Sequence, residues 1–146
     1  MASKIHTLVR PPLEASLAAG ESLDGVVIAN QRKAFSSQMV AIGVTPQRLV
    51  VQYLTRKNEP DGAPLSITVD DLRTAKVNVA GDEWWNTEWP LTDAALTMRL
   101  KLADGSKLTL DLMRGGDGLL GRLGGGEDQE AGVTALADWF QRAERA

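Results

Sequence analysis

The chain has 146 residues, 43% of them hydrophobic and 24% charged, the composition of one soluble globular domain long enough to bury a core unaided. With no cysteine and a single histidine, His6, it excludes zinc fingers, iron-sulfur ligation, thiol nucleophiles and most serine-histidine catalysis. Sixteen Lys and Arg against nineteen Asp and Glu leave a net charge of -3, so no global field favours nucleic acid or an anionic membrane, and any such contact must be local.

Neither end reads as an address. Arg10, Pro11, Pro12 and Glu14 break every apolar stretch before residue 20, and no run approaches the roughly 18 apolar residues of a membrane span. Met1 is not followed by glycine and the C-terminus carries no prenylation cysteine. A cytoplasmic protein is expected, with membrane contact at most peripheral. Residues 1 to 20 show no clean period and are read as a lead-in, with Leu13 to Ala19 able to form a short helical turn after Pro11 and Pro12. Residues 21 to 146 are read as one domain. His6 lies in the lead-in with no acid close by in sequence, and is expected at the surface.

From Ser22 onward, short runs of strand character recur about every ten residues with turn signals between them, an all-β layout. The first run is Leu23 to Asn30 and the second Phe35 to Val44, in which Val40, Ile42 and Val44 share a face. Thr45, Pro46 and Gln47 turn the chain into the third run, Leu49 to Leu54. A loop over residues 56 to 64 precedes the fourth, where Leu65, Ile67 and Val69 alternate with Ser66 and Thr68. Ala75, Val77 and Val79 mark a fifth strand, followed by a polar, tryptophan-bearing loop from Gly81 to Asp93. Leu96, Met98, Leu100 and Leu102 pair through a two-residue turn at Asp104 and Gly105 with Leu108, Leu110 and Leu112. After a Gly-rich connector the period changes, and Val133, Leu136, Ala137 and Phe140 predict an amphipathic helix from about residue 130 to 144, with Trp139 beside Phe140 packing on the core.

Seven antiparallel strands closed by one helix, whose apolar stripe covers an opening of a bent sandwich, is the architecture these periods predict. Three segments carry a family resemblance: Ala19-Gly20-Glu21-Ser22-Leu23 before the first strand, Val44-Thr45-Pro46-Gln47-Arg48-Leu49 between the second and third, and Ile67-Thr68-Val69-Asp70-Asp71-Leu72 at the fourth. Over about residues 20 to 145 the chain resembles bacterial PH-like domains of the YokE and GRAM kind, which have the pleckstrin-homology superfold. The resemblance implies a seven-stranded bent antiparallel sandwich or barrel capped by the C-terminal helix. The Gly81 to Asp93 loop and the Gly-rich connector depart from a minimal domain of this kind.

Gly116-Asp117-Gly118-Leu119-Leu120-Gly121 spells the dinucleotide fingerprint between a strand and a helix, but Gly124, Gly125 and Gly126 separate it from the helix start and no later strand presents a ribose-binding acid. It is read as a flexible connector. Asp70 with Asp71 and Asp82 with Glu83 are neighbours that point to opposite faces if extended, and are read as solvated turn acids. Trp84, Trp85 and Trp89 place three of the four tryptophans within six positions, among acids and without a basic residue. Rings folded back over an end of the sandwich are the plain reading; a protein contact is the functional one, since the acids repel phosphate backbones and anionic lipid. Leu119 and Leu120 are a second candidate for such a contact, or for docking on the domain itself. From Gly25 to Asn58 there are five basic residues and no acid. Two pairs, Arg32 with Lys33 and Arg56 with Lys57, fall in loops that the resemblance brings side by side, on the rim where phosphoinositide-binding members hold their ligand. A solvated basic rim is the plain alternative.

These features predict a non-enzymatic binding or scaffolding module without a cofactor and without a nucleic-acid partner. Contact with another protein, including self-association, through Trp84, Trp85, Trp89, Leu119 and Leu120 is the leading reading. Peripheral binding of anionic lipid headgroups or phosphates through Arg32, Lys33, Arg56 and Lys57 is the alternative. If the fingerprint is accidental, millimolar NAD, FAD or ATP leaves the melting temperature unchanged, because a ligand of the native state raises it. A saturable rise abolished by Gly118→Val contradicts this.

Overall fold

Alternating apolar residues and turn chemistry place seven strands among the described residues: β1 (Gly25–Arg32), β2 (Ser37–Val44), β3 (Leu49–Tyr53), β4 (Leu65–Ile67), β5 (Leu72–Val77), β6 (Thr97–Leu102) and β7 (Lys107–Leu112). The computed structural model describes residues 4–77, 97–112 and 126–145. A helix precedes the strands, α1 (Lys4–Ala15), and a longer one follows them, α2 (Gly126–Arg145). All pairings are antiparallel, in the order β4-β3-β2-β1-β7-β6-β5. The expected antiparallel sheet with a C-terminal helix is therefore present, with an N-terminal helix added to it.

Local chemistry shifts several boundaries. The β6–β7 turn is longer by one residue than expected: Leu102 N donates to Ser106 O, Gly105 N to Leu102 O, and Gly105 takes φ 92. That is a type I turn followed by a left-handed residue, which needs three loop positions and a glycine at the last. Val69, expected in the fourth strand, opens the 3-10 turn Val69–Asp71, because Asp71 Oδ2 accepts from both the amide and the hydroxyl of Thr68. Phe35, expected at the head of the second strand, lies outside β2.

The sheet curls around one core. Val27, Ala29, Val40, Ile42, Val44, Leu49 and Val51 of β1–β3 meet Met98, Leu100, Leu108 and Leu110 of β6 and β7 in a single buried cluster. The predicted stripe of α2, Val133, Leu136, Ala137 and Phe140, closes that cluster together with Trp139, whose ring stands at 87° to Phe140 with centroids 5.2 Å apart.

A second cluster lies on the other side of β1–β3. Val26, Ile28, Ala41, Val50 and Leu54 point away from the first core and are covered by Val9 and Leu13 of α1. Burial on both faces explains why β1 reads as the unbroken run Val26-Val27-Ile28-Ala29, whereas β7 alternates. The expected lead-in is thus a packed element. Its helix runs through Pro11 and Pro12, which cannot donate to the carbonyls of Thr7 and Leu8. Pro11, Thr7 and Leu8 are exposed, so this stretch faces water. His6, expected at the surface, is only 6% exposed, because it sits on the face of α1 that meets the sheet.

Both helices converge on β1. Among the described residues β7 pairs with β1 at Ala29, Asn30 and Gln31 and not along the Val26 to Ile28 half. Gln129 of α2 meets that half: its Oε1 accepts from Ile28 N at 2.8 Å and its Nε2 donates to Ile28 O at 2.9 Å. His6 Nε2 donates to Val26 O at 3.2 Å. One turn along α2, a Cβ at Gly132 would overlap Val26 O, and a Cβ at Gly25 would stand 2.9 Å from Gly132 Cα. Backbone approaches backbone there, which only paired glycines allow. On helix propensity alone Gly132→Ala stabilises by about 1 kcal/mol. The clash reverses the sign, and urea denaturation is expected to show a net loss of about 1 to 3 kcal/mol; a gain would show that helix and strand are not in such close contact.

Candidate functional site

The rim opposite the turn at Thr45 is built from the β1–β2 hairpin and the β3–β4 loop. Lys33 N donates to Ser36 O at 2.8 Å, leaving Ala34 and Phe35 at the hairpin tip. Hairpin tips ordinarily hold Gly, Asn or Asp. Phe35 is instead fully exposed, at 102% of its reference surface. Across from it, Asn58 N donates to Thr55 O at 2.9 Å, and Thr55 Oγ1 accepts from the amides of Lys57 and Glu59. Arg56 and Lys57 occupy the two central positions of that turn, and Asn58 closes it at φ 63.

Gln38 ties the two loops together. Its Oε1 accepts from Lys33 Nζ at 2.8 Å, and its Nε2 donates to Asp61 Oδ2 at 2.9 Å and to Leu54 O at 3.3 Å. Lys33 Nζ also lies 5.7 Å from the centroid of the Tyr53 ring, close enough for a cation-π contact. The loops bearing the two expected basic pairs are therefore neighbours. Their charges are not equally available. All three of Arg32, Arg56 and Lys57 are exposed, but Arg32 is engaged by Asp111 in a two-pronged pair, Nε to Oδ2 at 2.6 Å and Nη2 to Oδ1 at 2.8 Å. Glu59 and Asp61 lie on the same loop and dilute the positive field.

At the other end of the sheet, two of the segments behind the family resemblance meet. Glu21 receives Arg48 Nε and Nη2, each at 2.9 Å, and the Thr45 hydroxyl at 3.0 Å. Arg48 Nη2 also donates to Ser16 O at 3.3 Å, which ties the end of α1 to the β2–β3 turn. The hydrogen bonds from Arg48, then the Ala18 amide, hold the Glu21 carboxyl at about 2, against an ordinary 4.5. This is a structural clamp. Asp71 serves the 3-10 turn through Thr68 and is exposed, as expected of a turn acid.

Among the described residues no three His, Asp or Glu side chains gather as metal ligands, and no helix is long and apolar enough to cross a membrane. Trp84, Trp85, Trp89, Leu119 and Leu120 lie outside the described residues, as do Asp82, Glu83 and the fingerprint at 116–121. Sequence reasoning missed Phe35, whose apolar character reads as strand, and Gln129, which precedes the predicted helix. Gln129 nevertheless falls on the stripe of Val133, Leu136 and Phe140, a polar residue where an apolar one is expected.

No family model matches the chain, and neither does any curated protein. Solved structures do. The C-terminal domain of an unknown protein from Leishmania infantum aligns over 94% of this chain and 99% of its own, with a TM-score of 0.50 and 14% identity. The hSac2 domain from the human phosphoinositide phosphatase Sac2 aligns over 97% of this chain and 80% of its own, with a TM-score of 0.54 and 14% identity. At such identity the likeness concerns the fold.

The Glu21 clamp makes a pH-resolved prediction. A carboxyl depressed in the folded state contributes stability above its ordinary pKa and loses it as pH falls through the folded value, here between 4.5 and about 2. Glu21→Gln is expected to cost about 2 kcal/mol at neutral pH and to flatten the stability curve across that acid window in urea titrations. An unchanged acid slope would remove Glu21 from the account.

Proposed function

We propose that this protein is a PH-like, non-enzymatic binding module that engages anionic lipid surfaces peripherally through the rim of Phe35, Lys33, Arg56 and Lys57. The observation that carries the reading is Phe35: a large apolar ring fully exposed at the tip of a hairpin, next to a lysine and beside a second loop with two exposed cations. Turn chemistry gives no reason for an aromatic there, while an interface that is anionic outside and apolar beneath accepts both groups at once. The PH-like assignment is supported by the strand order, by β1 bridging the two halves of the sheet and by the C-terminal helix closing its core. Sac2, whose hSac2 domain shares the fold, is named for action on phosphoinositides, and that anionic headgroup chemistry suits the rim.

Magnitudes set the strength. Three basic residues at about 1 kcal/mol each and a buried phenylalanine at about 2 kcal/mol sum to about 5 kcal/mol. That is the reversible, marginal affinity of a single acyl chain, so stable residence requires a second contact. Protein contact through Trp84, Trp85 and Trp89 is the competing reading and would supply such a contact.

Sedimentation with vesicles tests this. Binding to phosphatidylserine-containing vesicles, with none to neutral ones, is expected to weaken as salt rises. Phe35→Ser should reduce it about thirtyfold, and changing Lys33, Arg56 and Lys57 together to serine should abolish it. Replacing Trp84, Trp85 and Trp89 with serine should leave it intact. Absence of vesicle binding, or its loss with the tryptophans alone, defeats the lipid reading.

A further inference from the structure

α1 is tied to the domain near both ends, at Ser16 O by Arg48 and in its first turns by His6. The His6 contact fits one protonation state. Nε2 donates to Val26 O, while Nδ1 is buried with no hydrogen-bond partner among the described residues. A neutral imidazole with its proton on Nε2 satisfies that geometry. The imidazolium would bury a second N–H without an acceptor, and would place a cation at the end of a helix whose dipole repels it.

The surroundings do not rescue the charge. Asp128 of α2, the Val26 carbonyl of β1 and the Gln129 side chain of α2 favour the cation, and Arg10 of α1 opposes it. Burial outweighs the rest and lowers the pKa of His6 below 6.5. The neighbouring joint between β1 and α2, made by Gln129 and Gly132, brings no titratable side chain of its own; Gln129 also meets His6, but its two hydrogen bonds to Ile28 do not depend on the charge of the imidazole. α1 is also the weaker helix, since Pro11 and Pro12 remove two of its backbone donors.

We propose that α1 is an acid-released strap: protonation of His6 frees it from the outer face of β1–β3, while the joint between β1 and α2 stays closed. Release uncovers Val26, Ile28, Ala41, Val50 and Leu54. A histidine more acidic when docked than when free binds its proton preferentially in the released state. Docking is therefore full above 6.5 and is lost as pH falls below it, by at most tenfold in the opening constant per pH unit. The strap does not depend on the lipid reading of the rim.

Amide hydrogen exchange of the full chain, corrected for intrinsic rates, tests it between about pH 7.5 and about pH 5, the range in which histidine titrates. The Val9 and Leu13 amides should lose protection, by up to tenfold per unit, while the Ile28 amide keeps its own. His6→Gln retains an N–H donor and cannot titrate, so it should abolish the response. Unchanged protection in the natural chain, an equal response in His6→Gln, or opening of Ile28 in step with Val9 would overturn the proposal. Should His6→Gln fail to fold, an NMR titration of the single histidine decides. A folded-state pKa below 6.5 that coincides with α1 opening supports the strap, and a value at or above 6.5 overturns it.

Discussion

The backbone edge of β1 between Val26 and Ile28 is the constraint on which the arrangement of both helices depends. Among the described residues β7 pairs with this edge no further than Ala29, and the backbone groups of Val26 and Ile28 are met by side chains. An unpaired buried amide or carbonyl costs about 1 to 3 kcal/mol. Gln129 supplies both a donor and an acceptor to Ile28 and stands in for a strand residue, and His6 supplies a donor to Val26. The side chains that complete the edge come from opposite ends of the chain. Closing β1 therefore also fixes where α1 and α2 sit, and the contact of Gly132 with Val26 is the steric counterpart of the same requirement.

From that joint the two cores follow. α2 seals the concave side of the curled sheet with Leu136 and Phe140, and α1 seals the convex side of β1–β3 with Val9 and Leu13. The Glu21–Arg48 pair fastens the segment between α1 and β1 to the β2–β3 turn, and through Ser16 it holds the end of α1 as well. Its carboxylate side chain is 6% exposed, and the guanidinium, the Ala18 amide and the Thr45 hydroxyl together hold its charge.

The rim is organised by different forces. Beyond the buried Leu54, whose amide donates to Met39 O, Gln38 joins the two loops by bonding to Lys33, Leu54 and Asp61. That leaves the loop tips free to carry residues the fold has no use for, and Phe35 is the clearest of them. Arg32 shows the opposite outcome. It looks in sequence like part of a basic pair, yet Asp111 from a strand remote in the chain takes up its charge. Which exposed cations carry an ion pair is set by what lies across the sheet, not by how many adjoin in sequence.

Period and turn chemistry in the sequence alone determined the strands, the C-terminal helix and its buried stripe, because a single face of each element buries against one core and local spacing reports that face. They also indicated that the loops bearing Lys33 and Lys57 belong together once the fold was inferred from the three motif segments. The tertiary structure decided what depends on residues distant along the chain. It made His6 a buried donor and Pro11 and Pro12 part of a helix, because the two-sided burial of β1–β3 demands a cover that the prolines' own preferences do not reveal. It removed Arg32 from the free cations and gave Gln129 the role of a strand. Both results arise from pairings across 79 and 101 residues of chain, where only the folded geometry brings donor to acceptor.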